Sequence, residues 1–261
     1  MKSSSLSAGG ISAGYNATDV VRGITFDLQA GEVLGVVGPN GCGKSTLLRA
    51  LTGLLPLRAG SVQFGGRDLE SLAPRERARF CAVQPQTETP VFDFDVRQFV
   101  LLGRHARRPF LGRAGTNDTA AVDRALDCTD MKNLAGRSIR ELSDGEWQRA
   151  LLARALAQET SVLLLDEPVA HLDPGHSHGV HGLLRDLARN QGKAILCVSH
   201  DLNLAAEFSD RLMFMQSGTI RALGRPDEIL GDELLEEVFG CRSLRTAKNP
   251  FTGRPGVFFA S

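Results

Sequence analysis

Residues 38–46 read GPNGCGKST, and this stretch restricts the fold more than any other in the chain. It fits G-x-x-x-x-G-K-[ST] at Gly38, Gly43, Lys44 and Ser45. An apolar run, VLGVV (33–37), precedes it, and a helical run, STLLRALTGLL, follows and closes at Gly53. Strand, glycine-rich turn and helix in that order imply a sheet with helices packed on it. The glycines let successive N–H groups turn toward phosphate oxygens, and the helix N-terminus adds favourable potential. Gly38, Pro39, Asn40, Gly41, Cys42, Gly43, Lys44, Ser45 and Thr46 are therefore the candidate contacts to a nucleoside triphosphate. Lys44 would place its charge at the β- and γ-phosphates, and Ser45 would hold Mg²⁺ through its hydroxyl. Cys42, beside Lys44 and a helix start, is expected to carry thiolate character.

The surrounding pattern fills in an α/β fold. ITFDLQAGEVLGVV alternates at Ile24, Phe26 and Leu28, turns at Ala30 and Gly31, and reads as a hairpin feeding a buried strand. RFCAVQ (79–84) reads as a further strand. Between residues 87 and 157 strand signals disappear, and DVRQFVLLGR, AAVDRALDCTDM and WQRALLARALAQ carry helical spacing. Strands return in VLLLD (162–166), AILCVS (194–199) and RLMFMQ (211–216), with a helical HSHGVHGLLRDLARN between the first two. RRPFLGRAGTN (107–117) is the one expected long loop. The expected division is a core from 1–86 and 158–225, a helical insertion at 87–157 and a C-terminal segment at 226–261.

Composition excludes several functions. Thirty basic residues balance thirty acidic ones, so no basic footprint for nucleic acid is present. The five cysteines are scattered and never form C-x-x-C, which argues against a disulfide framework or structural zinc and for a reducing compartment. No run approaches the length needed to span a bilayer, and MKSSSLSAGGIS lacks the apolar region of a signal peptide.

SVLLLDEP (161–168) ends an apolar strand in two adjacent carboxylates, at the strand end where open α/β sheets place ligands. Asp166 would enter the Mg²⁺ shell and Glu167 would polarise the attacking water. Together with the phosphate loop, this pair reads as a nucleoside triphosphatase.

ELSDGEWQRALLARALAQ (141–158) says which kind. Ser143 and Glu146 form an S-x-x-E capping box, but a cap leaves Leu142, Gly145 and the following helix unexplained. With LSDGE just before the carboxylate strand, the chain resembles the ATP-binding cassette family over roughly residues 6 to 257. The resemblance implies a P-loop nucleoside triphosphatase (RecA-like) core with an N-terminal antiparallel β-subdomain and an inserted α-helical subdomain. It implies ATP and Mg²⁺ as ligands, and a head-to-tail dimer sandwiching nucleotide, in which Ser143 and Gly145 touch ATP held by the second copy. It also implies that Tyr15 stacks on adenine, that Gln86 senses Mg²⁺ and water, that Asp173 in VAHLD crosses the dimer interface, and that His200 contacts the γ-phosphate. Asp144 departs from the first glycine of the signature pair, and Ala170 from a common serine; both are expected to tune dimer closure.

VRQFVLLGRHARRP, VSHDLNLAAEFSDR and the C-terminal GRPDEILGDELLEEVFG resemble importers of iron siderophores, haem and cobalamin. That implies a peripheral subunit on the cytoplasmic side of the inner membrane, bound to a polytopic permease and served by an extracytoplasmic binding protein. Alternatives are an ATPase of a molybdate or manganese/zinc importer, and a cassette protein of DNA repair or translation. The cluster His176, His178 and His181 is read as a solvated helix rather than a metal site.

Overall fold

The computed structural model describes residues 4–86, 88, 89, 92–108 and 113–260. In chain order the strands and helices are β1 (Ser4–Tyr15), β2 (Thr18–Gln29), β3 (Val33–Val37), α1 (Lys44–Leu51), β4 (Ala59–Phe64), β5 (Arg67–Asp68), α2 (Pro74–Phe80), β6 (Cys81–Gln84), α3 (Val96–Leu101), α4 (Thr116–Cys128) and α5 (Asp144–Ala157). There follow β7 (Val162–Asp166), α6 (Pro174–Gln191), β8 (Ala194–Val198), α7 (Leu202–Phe208), β9 (Arg211–Gln216), β10 (Thr219–Gly224), α8 (Pro226–Ile229), α9 (Asp232–Phe239), β11 (Leu244–Lys248) and β12 (Pro255–Phe259). Contacts divide the chain into two units, residues 1–71 with 184–261, and residues 72–183.

In the first unit β3 pairs in parallel with both β8 and β9, and β10 returns antiparallel on β9. Every residue of β3 and β8 is buried, which is why both read as unbroken apolar runs rather than alternating ones. A separate antiparallel sheet runs β2-β1-β4-β5. The expected hairpin at 24–37 is therefore a crossing between sheets: β2 pairs with β1, whereas β3 joins β8 and β9. The turn at Gly31 exists, with φ 81°, but a turn residue fixes only local direction. Which strand is paired afterwards is decided by burial on both faces of β3.

In the second unit β6 and β7 pair in parallel, and α3, α4 and α5 pack around Val96, Phe99, Val100, Leu126 and Leu151. The strand expected at 79–84 begins only at Cys81, because PRERARF forms α2 with Pro74 at its start and Glu76 reaching back to the Ala73 N–H at 3.0 Å. Within the second unit the side chains of α5 bind β6 directly: Gln148 meets Gln84, and Gln158 donates to the carbonyls of Ala78 and Cys81. The long loop expected at 107–117 lies partly outside the described residues; Thr116 already begins α4. Among the described residues no helix is long and apolar enough to cross a membrane.

Candidate functional site

The phosphate loop leaves the carboxyl end of β3 and enters α1. Gly38, Gly41 and Gly43 have φ of 153°, 75° and 109°, a region L side chains avoid. At Gly38 space also forbids a side chain, since a Cβ would collide with the Met215 carbonyl oxygen. The first N–H groups of α1 have no partner within their helix, so they form the donor set of an anion cradle. Lys44 is buried, 7% exposed, and its ammonium donates to the carbonyls of Gly38 at 2.8 Å and Pro39 at 3.0 Å. A buried cation over a ring of inward amides suits a triphosphate.

Cys42 corrects one expectation. Its thiol is 4% exposed and is pushed above its ordinary range by burial, which outweighs the neighbouring Lys44 charge. It packs inside the loop, where burial works against the thiolate character expected from its neighbours.

His200 follows β8, whose Val198 pairs with Val36 of β3. Parallel neighbours end on the same side, so His200 and the phosphate loop share the carboxyl edge of the β3–β8 pair, where such sheets carry ligands. Tyr15 ends β1 with 41% of its surface exposed, and its hydroxyl accepts from Arg49 of α1 at 2.7 Å. An open ring face tied to the helix that begins at the phosphate loop is suited to stacking on a base.

The second unit repeats this logic. Gln84 of β6 pairs with Leu165 of β7, so Gln86 and the carboxylates Asp166 and Glu167 leave the same end of that pair. Asp166 is 6% exposed at the end of a fully buried strand. Glu167 has φ 54°, a left-handed conformation that is costly for a non-glycine residue and concentrates at functional sites. Ser45, Asp166 and the side-chain oxygen of Gln86 are hard oxygen donors of the kind Mg²⁺ takes.

At α5, Ser143 is the N-cap. Its hydroxyl accepts from the Glu146 N–H at 3.3 Å, while the Glu146 carboxylate accepts from the Ser143 N–H at 2.8 Å. These bonds, the backbone one foremost, hold the Glu146 carboxyl below its ordinary range. Gly145 faces the loop after β7, where a Cβ would stand 3.2 Å from Leu172 Cδ2. Ser143, Asp144, Gly145, Glu146, Arg149, His171, Leu172, Asp173 and His176 line one cavity of about 660 Å³. Ser143 and Asp173 thus meet in space, 30 positions apart in sequence.

Asp173 caps α6: one carboxylate oxygen accepts from the His176 N–H at 2.9 Å, and the other meets His176 Nδ1 at 2.5 Å. Those bonds lower the Asp173 carboxyl. The histidine cluster therefore separates into different roles. His176 serves a cap, and His181 is 5% exposed with Nδ1 2.9 Å from the Ser177 carbonyl, so it is a packed residue rather than a solvated one. No group of three metal-ligating side chains is found among the described residues.

Sequence reasoning missed the residues that hold these groups. Buried Gln148 of α5 accepts from Gln84 Nε2 at 3.0 Å and donates to the Gln86 carbonyl at 3.3 Å. Arg154 grips Glu88 with two bonds of 2.5 Å, and Trp147 Nε1 donates to the Glu88 carbonyl at 2.9 Å. The signature helix therefore fixes the segment that follows β6. A glutamine at a position of α5 that faces inward was the one available signal.

A profile of the family described as ABC transporter matches residues 21–170. The chain is 41% identical over 258 residues to the hemin import ATP-binding protein HmuV of Rhizobium meliloti (strain 1021), covering 96% of each chain. It is 37% identical over 247 residues to the ferric enterobactin transport ATP-binding protein FepC of Escherichia coli (strain K12), covering 95% of this chain and 91% of that one. The cobalamin import ATP-binding protein BtuD of Halobacterium salinarum is 41% identical over 245 residues, 94% of this chain, which spans 61% of that relative's length. Among solved structures, a metal-chelate type ABC transporter in an inward-facing conformation superposes with a TM-score of 0.85 at 27% identity, covering 99% of this chain and 98% of that one.

Proposed function

The chain belongs to the ABC transporter family, and from that premise we propose that it is the ATP-binding and ATP-hydrolysing subunit of an importer that takes up a metal chelate through a membrane permease. The observation that carries the reading is the loop at 38–46: a glycine-shaped anion cradle around buried Lys44, in a chain similar over nearly its whole length to hemin and enterobactin import subunits. Iron siderophore, haem and cobalamin are the cargo classes the relatives' names support.

In this reading the N–H groups from Gly41 to Thr46 and the Lys44 ammonium bind the ATP phosphates, and Tyr15 stacks on adenine. Ser45, Asp166 and Gln86 hold Mg²⁺, which when bound neutralises charge on the β- and γ-phosphates. Glu167 accepts a proton from the water that attacks the γ-phosphorus, and the β–γ bridging oxygen leaves with ADP. His200 donates a hydrogen bond to the γ-phosphate. Ser143, Gly145 and the N-terminus of α5 address the γ-phosphate of ATP held by a second copy, with Asp173 beside them in the same cavity. The assembly is a head-to-tail pair bound peripherally to a polytopic permease on the cytoplasmic side of the inner membrane, served by an extracytoplasmic binding protein.

Affinity purification of the tagged chain from detergent-solubilised membranes of its own cell tests the reading. Recovery of a polytopic permease, with ATPase activity raised by the chelate-loaded binding protein, is expected. An active ATPase recovered with no membrane protein would overturn the importer assignment.

A further inference from the structure

Strand β2 and the turn between β9 and β10 both meet the phosphate loop in the first unit. The turn between β9 and β10 places Ser217 at φ 47° and Gly218 at φ 82°. From this turn the Gly218 N–H donates to the Cys42 carbonyl at 2.9 Å, a backbone bond into the middle of the loop. Arg22 of β2 binds the same turn twice: its N–H donates to the Gly218 carbonyl at 2.8 Å, and its guanidinium Nη2 donates to the Ser217 carbonyl at 2.7 Å. The packing is close enough that glycine is required on both sides. A Cβ at Gly218 would collide with the Val20 carbonyl oxygen, and one at Gly43 would stand 2.9 Å from Val21 Cγ1.

We propose that Arg22 and Gly218 are positioning residues for nucleotide binding: they brace the phosphate loop through the Cys42 carbonyl and tie it to β2, the strand joined by a short turn to the β1 end that carries Tyr15. A cradle of inward N–H groups is an assembly of like dipoles that tends to open, and its affinity depends on being held in shape before the anion arrives. The Gly218 bond fixes the Cys42 peptide plane, and Arg22 fixes the turn that supplies the bond. Because β2 (Thr18–Gln29) runs from the Tyr15 turn to Arg22, the base contact and the phosphate contact are joined through one strand. This inference rests on the ATP-binding reading and extends it to residues outside the loop.

Titration of the full chain with ATP and with inorganic pyrophosphate, beside steady-state ATPase kinetics, separates the two. Arg22→Ala is expected to weaken both ligands by about three- to tenfold, the loss of one buttressing hydrogen bond. KM for ATP rises accordingly while kcat holds within about twofold, and Arg22→Lys restores part of the affinity because an ammonium can still reach a carbonyl. Gly218→Ala is expected to lose far more, with its melting temperature recorded alongside. Arg22→Ala binding ATP and pyrophosphate within twofold of the native chain would overturn the proposal. So would a loss confined to ATP, which would place the effect at the base. Failure of the native chain to bind ATP at all would instead defeat the underlying reading.

Discussion

The two units hold their ligand-facing groups by different means. In the first, backbone holds backbone: glycines at 38, 43 and 218 are pressed against carbonyls or strand side chains, and the loop is locked through the Cys42 peptide. In the second, side chains hold side chains: Ser143 with Glu146, Asp173 with His176, Gln84 with Gln148, and Arg154 with Glu88. Backbone bracing is close to all-or-none, because an added Cβ has nowhere to go. A side-chain lattice loses one bond at a time. The difference predicts graded effects in the second unit and abrupt ones in the first.

The largest effect on ATP binding is expected at Lys44. Lys44→Ala removes the only charge inside the loop and should weaken ATP binding by about ten- to a hundredfold, the worth of charge-assisted bonds of ~1.5–3 kcal/mol, read by calorimetry. Retained affinity would mean that the amides suffice alone, and the contrast between the units would lose its sharpest point. Next comes Gln148→Leu, which removes the shorter of the two bonds that the buried Gln84 amide makes to Gln148. A destabilisation of about 1–3 kcal/mol is expected in denaturant melts, with ATP affinity of the phosphate loop unchanged. A variant as stable as the native chain would show the relay to be dispensable.

These contrasts also explain what the sequence revealed. The phosphate loop was legible because its backbone geometry demands glycine at fixed spacing, and Asp166 and Glu167 because they end an apolar strand. The first strand was not: SSLSAGGISAGY lacks strand propensity and is held by pairing on both edges, to β2 and β4. The relay from Gln84 to Gln148 links residues 64 positions apart and leaves no local pattern. Cys42 reads differently in the fold because neighbours in sequence predict charge, whereas its burial depends on tertiary packing.

A smaller effect tests the capping box at α5. Glu146 has a folded-state carboxyl below its ordinary 4.5, so its contribution is complete above that pH and is lost as pH falls through the depressed value. Melting temperature should decline below about pH 4.5, and Glu146→Gln should flatten that part of the profile. Parallel profiles would place the acid sensitivity elsewhere, for example at Glu159, whose carboxyl is lowered by Arg124 and Arg104 against the opposing effect of burial. Smaller again is Asp144→Gly. It removes a charge that favours the helix start by ~0.3–1 kcal/mol but would repel a partner's γ-phosphate, so slight destabilisation and tighter ATP-dependent pairing at low salt are expected. Equal pairing across a salt series would show that Asp144 does not face nucleotide.

We propose that Glu167, held at φ 54°, activates the water that attacks ATP. Gel filtration of Glu167→Gln with ATP and Mg²⁺, with phosphate release followed in the same samples, addresses it directly. Nucleotide-bound dimer and hydrolysis reduced by ~10²–10⁴ are predicted, the range for loss of a general base. A monomer that still hydrolyses ATP at the native rate would contradict the account.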